Sequence, residues 1–396
     1  APEAPEADPE PGAKFSVLSG QVLKMVMTLH TSKNDAELQS TCEQTGRMAA
    51  QEEGTEFRME VRRRHLLETV ADVIESRMDN TNLIVECIVA VDKVVRGDRE
   101  TTSFMWDKTR LVSMFSAAVQ RYSADADMTE KLSRHWGAFA PACCPEQAIK
   151  VKEMGGLDSL FGAIDRFPAN PGVQLSAWSG LASLAQSPEG ASTVSNHGGP
   201  SAGIQRIVAT LRDSIPNLPR VPAPVTVGTK VLQTMYGILN NDATGVFHKA
   251  WKTEEMPREF VNTMMLEHDV RATQDVSCNT INQVTHNQDP EWQNLLGQQG
   301  ALETIASAVK NFRDADPTPY ESGTVTEKFP VLPSCMWALV NLVDRNSRNQ
   351  QLARRLAILT YLEPVMSKGF SDAELQGQMA AAMRRFKDLI APNGGG

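Results

Sequence analysis

Apolar residues recur at helical spacing along most of the chain, and the densest run, SCMWALVNLVD at residues 334–344, sets a register for the rest. Leu339 and Leu342 stand three residues apart and therefore share one helix face. The same pair of columns reads Gly46/Ala49, Val91/Val94, Trp136/Phe139, Leu181/Leu184, Met235/Ile238, Ile281/Val284 and Met383/Phe386, at successive intervals of 45, 45, 45, 54, 46, 58 and 44 residues. The two long intervals hold polar or proline-rich insertions at residues 213–226 and 313–327. A period of this length carried by helical patterning alone predicts an all-α solenoid of about eight repeats, in which each unit buries its apolar face against its neighbours.

The predicted array spans residues 15–391. Residues 1–14 precede it as a proline-rich acidic arm, and residues 392–396 follow as a flexible tail. The segment APEAPEADPEPG carries four prolines and four acids, a composition that cannot bury apolar surface and predicts disorder. From Phe15 onward, Leu18, Val22, Leu23, Val26 and Leu29 make one apolar face, and Asn34-Asp35 supplies a helix start. The second repeat reads as one helix over 61–74 and another over 82–96; the third pairs 111–119 with 128–140. The fourth reads as a complete unit of three helices, with Gly155-Gly156 as a sharp break and 168–172 as a turn. The last helix, 372–390, carries Arg384, Arg385 and Lys387, which suits a polar C-terminal cap.

At 396 residues the chain exceeds what one compact core usually supports, about 250–300 residues, and a solenoid escapes that limit. A net charge of −9 argues against a general nucleic-acid binder and leaves room for a local basic patch. No stretch approaches the roughly 20 apolar residues of a membrane span. The sequence starts at Ala1 without Met, as a processed product or a trimmed piece would. Of six cysteines, Cys42, Cys87 and Cys335 fall four residues before the first column, inside the apolar stripe. With neighbouring helices about 10 Å apart, equivalent positions lie beyond the roughly 7 Å that a disulfide tolerates. These thiols are therefore expected to be free, buried and in a reducing compartment, the cytoplasm or, after loss of a targeting peptide, an organelle.

The helix–Gly–helix–turn–helix order, GGLDSLFGAI at 155–164, GALETIASAV at 300–309 and Ala-Leu-Val-Asn-Leu at 338–342 resemble armadillo repeats. The resemblance covers residues 145–390 most clearly and continues in register over 15–140. It implies a right-handed superhelix whose third helices line a concave groove for an extended peptide or partner protein. Importin-alpha-type members are similar to one another in a W-x-x-x-N array on successive third helices. Here that array is met once, by Trp337 and Asn341. The Trp column otherwise reads Gln44, Val89, Arg134, Ser179, Gln233, Asn279 and Ala381; the Asn column reads Met48, Lys93, Ala138, Ser183, Gly237, Gln283 and Arg385. One match in eight does not make a nuclear-import adaptor.

Seven histidines fall in no metal-ligand spacing, Cys143-Cys144 lacks a second cysteine pair, and the glycine pairs lack the Lys-Ser/Thr of a phosphate loop. The expectation is a non-catalytic scaffold or adaptor without cofactor or metal, binding other proteins along the groove. The candidate groove residues are Gln44, Lys93, Arg134, Trp178, Gln233, Asn279, Gln283, Trp337, Asn341 and Arg385. The alternative is a structural subunit of a large assembly that uses the insertions, the Tyr320 loop and the arm. The run Arg62-Arg63-Arg64, placed at a helix start by the pattern, reads as a solvated or partner-paired face.

Overall fold

A computed structural model describes the chain except residues 1–10, 52–53, 141–143, 220–222, 243–244, 254, 287–288, 313–319, 323–324, 328–330, 368–372 and 392–396. The expected disordered arm and flexible C-terminal tail fall largely outside the described residues. Among the described residues the fold is all-α apart from one antiparallel pair of short strands, and two compact units divide it: residues 1–167 with 172–189, and residues 190–396 with 168–171. Each unit is a stack of helical repeats.

The first unit opens with α1 (Pro11–Thr31) and α2 (Asp35–Ala49), so helix begins four residues earlier than the pattern predicted. Its second repeat is α3 (Gly54–Arg63), α4 (Leu66–Ser76) and α5 (Thr81–Val95). The third is α6 (Arg99–Lys108), α7 (Leu111–Arg121), α8 (Ala126–Ser133) and α9 (His135–Phe139); the fourth is α10 (Glu146–Glu153), α11 (Gly156–Arg166) and α12 (Pro171–Leu184). The second unit holds α13 (Pro188–Ser195), α14 (Ala202–Ala209), α15 (Val227–Asn240), α16 (Val246–Thr253), α17 (Met256–Leu266) and α18 (Arg271–Thr285). It continues through α19 (Pro290–Gln298), α20 (Ala301–Asn311), the strands β1 (Tyr320–Ser322) and β2 (Val325–Glu327), α21 (Val331–Val343), α22 (Ser347–Arg355), α23 (Ile358–Ser367) and α24 (Ala373–Ile390).

All sixteen residues of the two apolar columns are buried, from Gly46 and Ala49 to Met383 and Phe386. They sit on the third helices, α2, α5, α8–α9, α12, α15, α18, α21 and α24, which form the spine of each unit. On α1 the buried face is Leu18, Val22, Met25 and Leu29, while Leu23 turns outward. In six repeats the break between the first and second helices is made by one left-handed residue. Gly155 and Gly300 hold it in two repeats, and His65, Ser201, Glu255 and Ala357 hold it in four others. Non-glycine residues pay a steric penalty in that conformation, so glycine alone could not reveal the break.

A buried glutamine near the start of a third helix closes the preceding turn. Gln174 Nε2 donates to the carbonyls of Ile164 and Phe167 at 2.9 and 3.1 Å, and Gln274 Nε2 donates to those of Met264 and Glu267 at 2.8 and 3.1 Å. The two amides reach back by the same ten and seven residues. Each satisfies carbonyls that the end of a helix leaves unpaired.

Several expectations change here. The single helix over 61–74 breaks at His65, so Arg62 and Arg63 end α3 instead of starting a helix, where the dipole favours cations. Arg62 pairs with Asp98 and Glu100, and Arg63 and Arg64 pair with the buried Glu60. The helix over 128–140 breaks at Arg134 into α8 and α9. The insertion at 213–226 begins helical, because α14 runs on through a π-turn at Thr210–Ser214 and a 3-10 turn at Ile215–Asn217. The insertion at 313–327 contains the antiparallel β1–β2 ribbon, with Tyr320 opposite Glu327.

The cysteines give the largest correction. Cys42 is bonded to Cys87 and Cys278 to Cys335, with Cα atoms 5.0 and 4.8 Å apart. The expected 10 Å spacing fails because small residues let these third helices approach. A Cβ on Gly46 of α2 would lie 3.3 Å from the Cα of Ala90 on α5. Between α18 and α21 the contact is close enough for Asn282 Nδ2 to donate to the Ser334 carbonyl at 2.9 Å. Cys144 is buried, and Cys143 lies outside the described residues. The inference of a reducing compartment rested on unpaired thiols and falls with them. Among the described residues no helix is long and apolar enough to cross a membrane.

Candidate functional site

The Trp and Asn columns place residues one turn apart on the third helices, and most of these positions are exposed or half-buried. In the Trp column, Gln44, Arg134, Trp337 and Ala381 are exposed and Val89, Ser179, Gln233 and Asn279 are half-buried. In the Asn column, Lys93, Gln283 and Asn341 are half-buried and Arg385 is exposed, while Gly237 alone is buried. Trp178 does not belong to this face. It is fully buried with its ring 6.4 Å from that of Phe161, edge to face. It stands one position before the column residue Ser179, and one residue on a helix is a turn of about 100°.

In the second unit the face is built across α15, α18, α21 and α24, each packed on the next. Trp337 on α21 is 39% exposed, unlike the fully buried Trp136, Trp178, Trp251 and Trp292. One turn away, Asn341 Nδ2 donates to Asn282 Oδ1 at 3.0 Å, and Asn282 Nδ2 in turn donates to the Ser334 carbonyl. Those bonds fix the orientation of both amides. The side chains of Asn279 and Gln283 on α18 make no hydrogen bond to any described residue, so their donors and acceptors are open to a ligand. Arg385 on α24 reaches Asp344 at 3.4 Å, and Gln233 on α15 accepts from Lys230 at 2.8 Å. The arrangement is an indole flanked by side-chain amides, suited to lying against an extended backbone and hydrogen-bonding its peptide groups.

In the first unit the corresponding face between α2 and α5 holds a cavity of about 220 Å³. Glu43 and Arg47 line it from α2 and Glu86 and Lys93 from α5, with Gly46 and Ala90 between them. The Trp and Asn columns reach Val89 and Lys93 and miss Glu43, Arg47 and Glu86, which lie outside them. Their visible signal was only that each neighbours a cysteine or a column position. Deeper in the same unit, Asp92 of α5 faces His135 Nδ1 at 2.5 Å and Arg96 at 2.6 Å. Burial raises the Asp92 carboxyl, but hydrogen bonding to His135 and the charge of Arg96 outweigh it and hold it below the ordinary aspartate value. Among the described residues no group of three or more His, Cys, Asp or Glu side chains could hold a metal ion.

Fold and face together define a helical-repeat protein. No family pattern and no curated protein sequence matches the chain. Solved structures do. A crystal structure of Uso1-2 aligns with 98% of this chain at 12% identity and a TM-score of 0.45. A chain from work on a phosphorylation switch controlling the interaction between cadherin and beta-catenin aligns with 96% of it at 10% identity and a TM-score of 0.42. The chain spans about half, 53%, of the Uso1-2 chain and 99% of the other.

Proposed function

We propose that the protein is a non-catalytic scaffold or adaptor that holds an extended segment of a partner protein across α15, α18, α21 and α24, with armadillo-like repeats as its framework. The observation that carries this reading is Trp337, the one tryptophan turned toward solvent on a spine whose other described tryptophans are buried. Aromatic anchors dominate binding energy where they meet a partner, and the open amides of Asn279 and Gln283 would supply the polar contacts beside it. Gln44, Lys93 and Arg134 would extend the same role in the first unit. The test is a pull-down from native extract with the intact chain and with Trp337→Ala/Asn341→Ala, followed by mass spectrometry. A specific partner is expected to bind the double variant at least about 10-fold more weakly, a hot-spot loss of roughly 1–2 kcal/mol. Undiminished capture by a folded double variant would refute the reading.

A second reading, a structural subunit of an assembly, is favoured by β1–β2. A two-stranded ribbon has two edges, and an edge strand is a template for pairing with another chain. Replacing residues 313–330 by a short Gly/Ser linker separates the two readings, because a partner held by Trp337 survives the change and one paired to the ribbon does not.

A further inference from the structure

The end of the second unit carries a basic edge that neither reading above uses. The loop after α21 and helix α22 hold Arg345, Arg348, Arg354 and Arg355 with no acid among residues 345–355, in a chain whose net charge is −9. Two contacts lay the last turns of α24 along α22. Arg385 reaches Asp344 just before α22 at 3.4 Å, and Arg354 Nε donates to the Ile390 carbonyl at 2.8 Å near its end. Arg345, Arg348, Arg355 and Arg384 are exposed and make no hydrogen bond or ion pair to any described residue. The acids beside them are Asp344, shared with Arg385, and Asp388; Glu363 is taken by Lys387 at 2.9 Å. Elsewhere in the molecule most exposed arginines are paired: Arg110 alone meets Glu68, Asp72 and Glu75. Arg345 also occupies a left-handed backbone position, φ 55°, where glycine would be easier, so a guanidinium stands there against the local preference.

Four free guanidinium groups, Arg348 and Arg355 on the nine residues of α22 (about 14 Å), Arg345 just before it and Arg384 on α24, make a site for a polyanion with several carboxylates in a row. The chain contains one such segment. Residues 1–10 hold Glu3, Glu6, Asp8 and Glu10 and no basic side chain. Extended at about 3.3 Å per residue, Glu3 to Glu10 covers about 23 Å, enough to run the length of the edge. The prolines between the acids limit the conformations lost on docking. We propose that the edge formed by Arg345, Arg348, Arg355 and Arg384 docks the acidic N-terminal segment of a second copy of this chain, giving head-to-tail association. The contact is heterologous, so each copy offers one segment and one edge.

The test uses the full chain and a fluorescein-labelled peptide of residues 1–12. The peptide binds the wild-type chain saturably at low ionic strength, and sedimentation velocity shows mass rising with protein concentration. Arg348→Glu/Arg355→Glu weakens both by at least 10-fold with an unchanged circular dichroism spectrum, and raising the salt weakens them steeply. A peptide with Lys at positions 3, 6, 8 and 10 then binds the doubly reversed variant better than the wild type, which a general loss of structure would not produce. Several results would overturn the proposal: a chain that sediments as a monomer at every concentration, a peptide that binds both proteins equally, or a peptide that binds neither. So would an edge that takes a DNA oligonucleotide or phosphatidylserine vesicles without competition from the peptide.

Discussion

Each disulfide closes a long loop between third helices of neighbouring repeats, and the stabilisation that follows can be worked from sequence separation. Cys42 and Cys87 are 45 residues apart, and Cys278 and Cys335 are 57 apart. With the chain-entropy relation, ΔS ≈ −2.1 − 1.5R ln n, each bond removes about 14 cal/mol/K from the unfolded chain, or about 4 kcal/mol at 25 °C. That is a large share of the 5–15 kcal/mol typical of a folded domain. The first bond lies in one unit and the second in the other, so each should act on its own unit. The assay is urea denaturation of the oxidised chain, of the chain reduced and refolded in excess phosphine, and of Cys42→Ala/Cys87→Ala and Cys278→Ala/Cys335→Ala. Hydrogen exchange reads the site: losing the first bond should speed exchange in α2 and α5, and losing the second in α18 and α21. Of the six cysteines, the four bonded ones should not titrate in urea until reductant is added. Six titratable thiols, or a loss under about 1 kcal/mol on reduction, would refute the reasoning.

Two further outcomes follow from strain and charge. Ala357→Gly, at φ 51° before α23, should raise stability by about 0.5–1 kcal/mol, because relief of the left-handed penalty exceeds the extra freedom of the unfolded glycine; a loss measured by urea denaturation would contradict it. Asp92 has a folded-state pKa below its ordinary value, so its contribution is complete above about pH 4 and is lost as pH falls through the depressed value. Asp92→Asn, which leaves Arg96 without its buried carboxylate, should cost about 3–5 kcal/mol at neutral pH and flatten the acid limb of stability against pH; an unchanged limb would mean that Asp92 carries no linkage.

The repeat was legible because sixteen positions had to be apolar, or small, to stack third helices, and burial enforces that on every unit. The breaks were less legible, because a left-handed residue leaves a clear mark only when it is glycine. Gly155 and Gly300 announced theirs, whereas His65 hid a helix end and moved Arg62 and Arg63 from one pole of a dipole to the other. The disulfides were misread through a single assumed distance. Gly46 and Ala90 allow a closer approach than the average helix spacing, and the i and i+3 columns show only half of that pair, since Ala90 lies one residue before its column.

Trp178 shows the same limit at the site. Its residue type fits an anchor, and its register places it in the core, where it packs against Phe161. Trp337 has the same type in the outward register, at the position equivalent to Ser179 and not to Trp178. Register outweighs residue type here, because a helix turns about 100° per residue and a buried stripe spans little more than that. If α21 presents Trp337 for recognition, then Ser179→Trp on α12 should be tolerated with little loss of stability, since that position is half-buried and outward, whereas Trp178→Ala should cost about 3–5 kcal/mol by emptying the core beside Phe161. Urea denaturation of the two variants decides it: comparable losses would mean that the two columns do not separate surface from core, and the case for Trp337 as an anchor would fail with them.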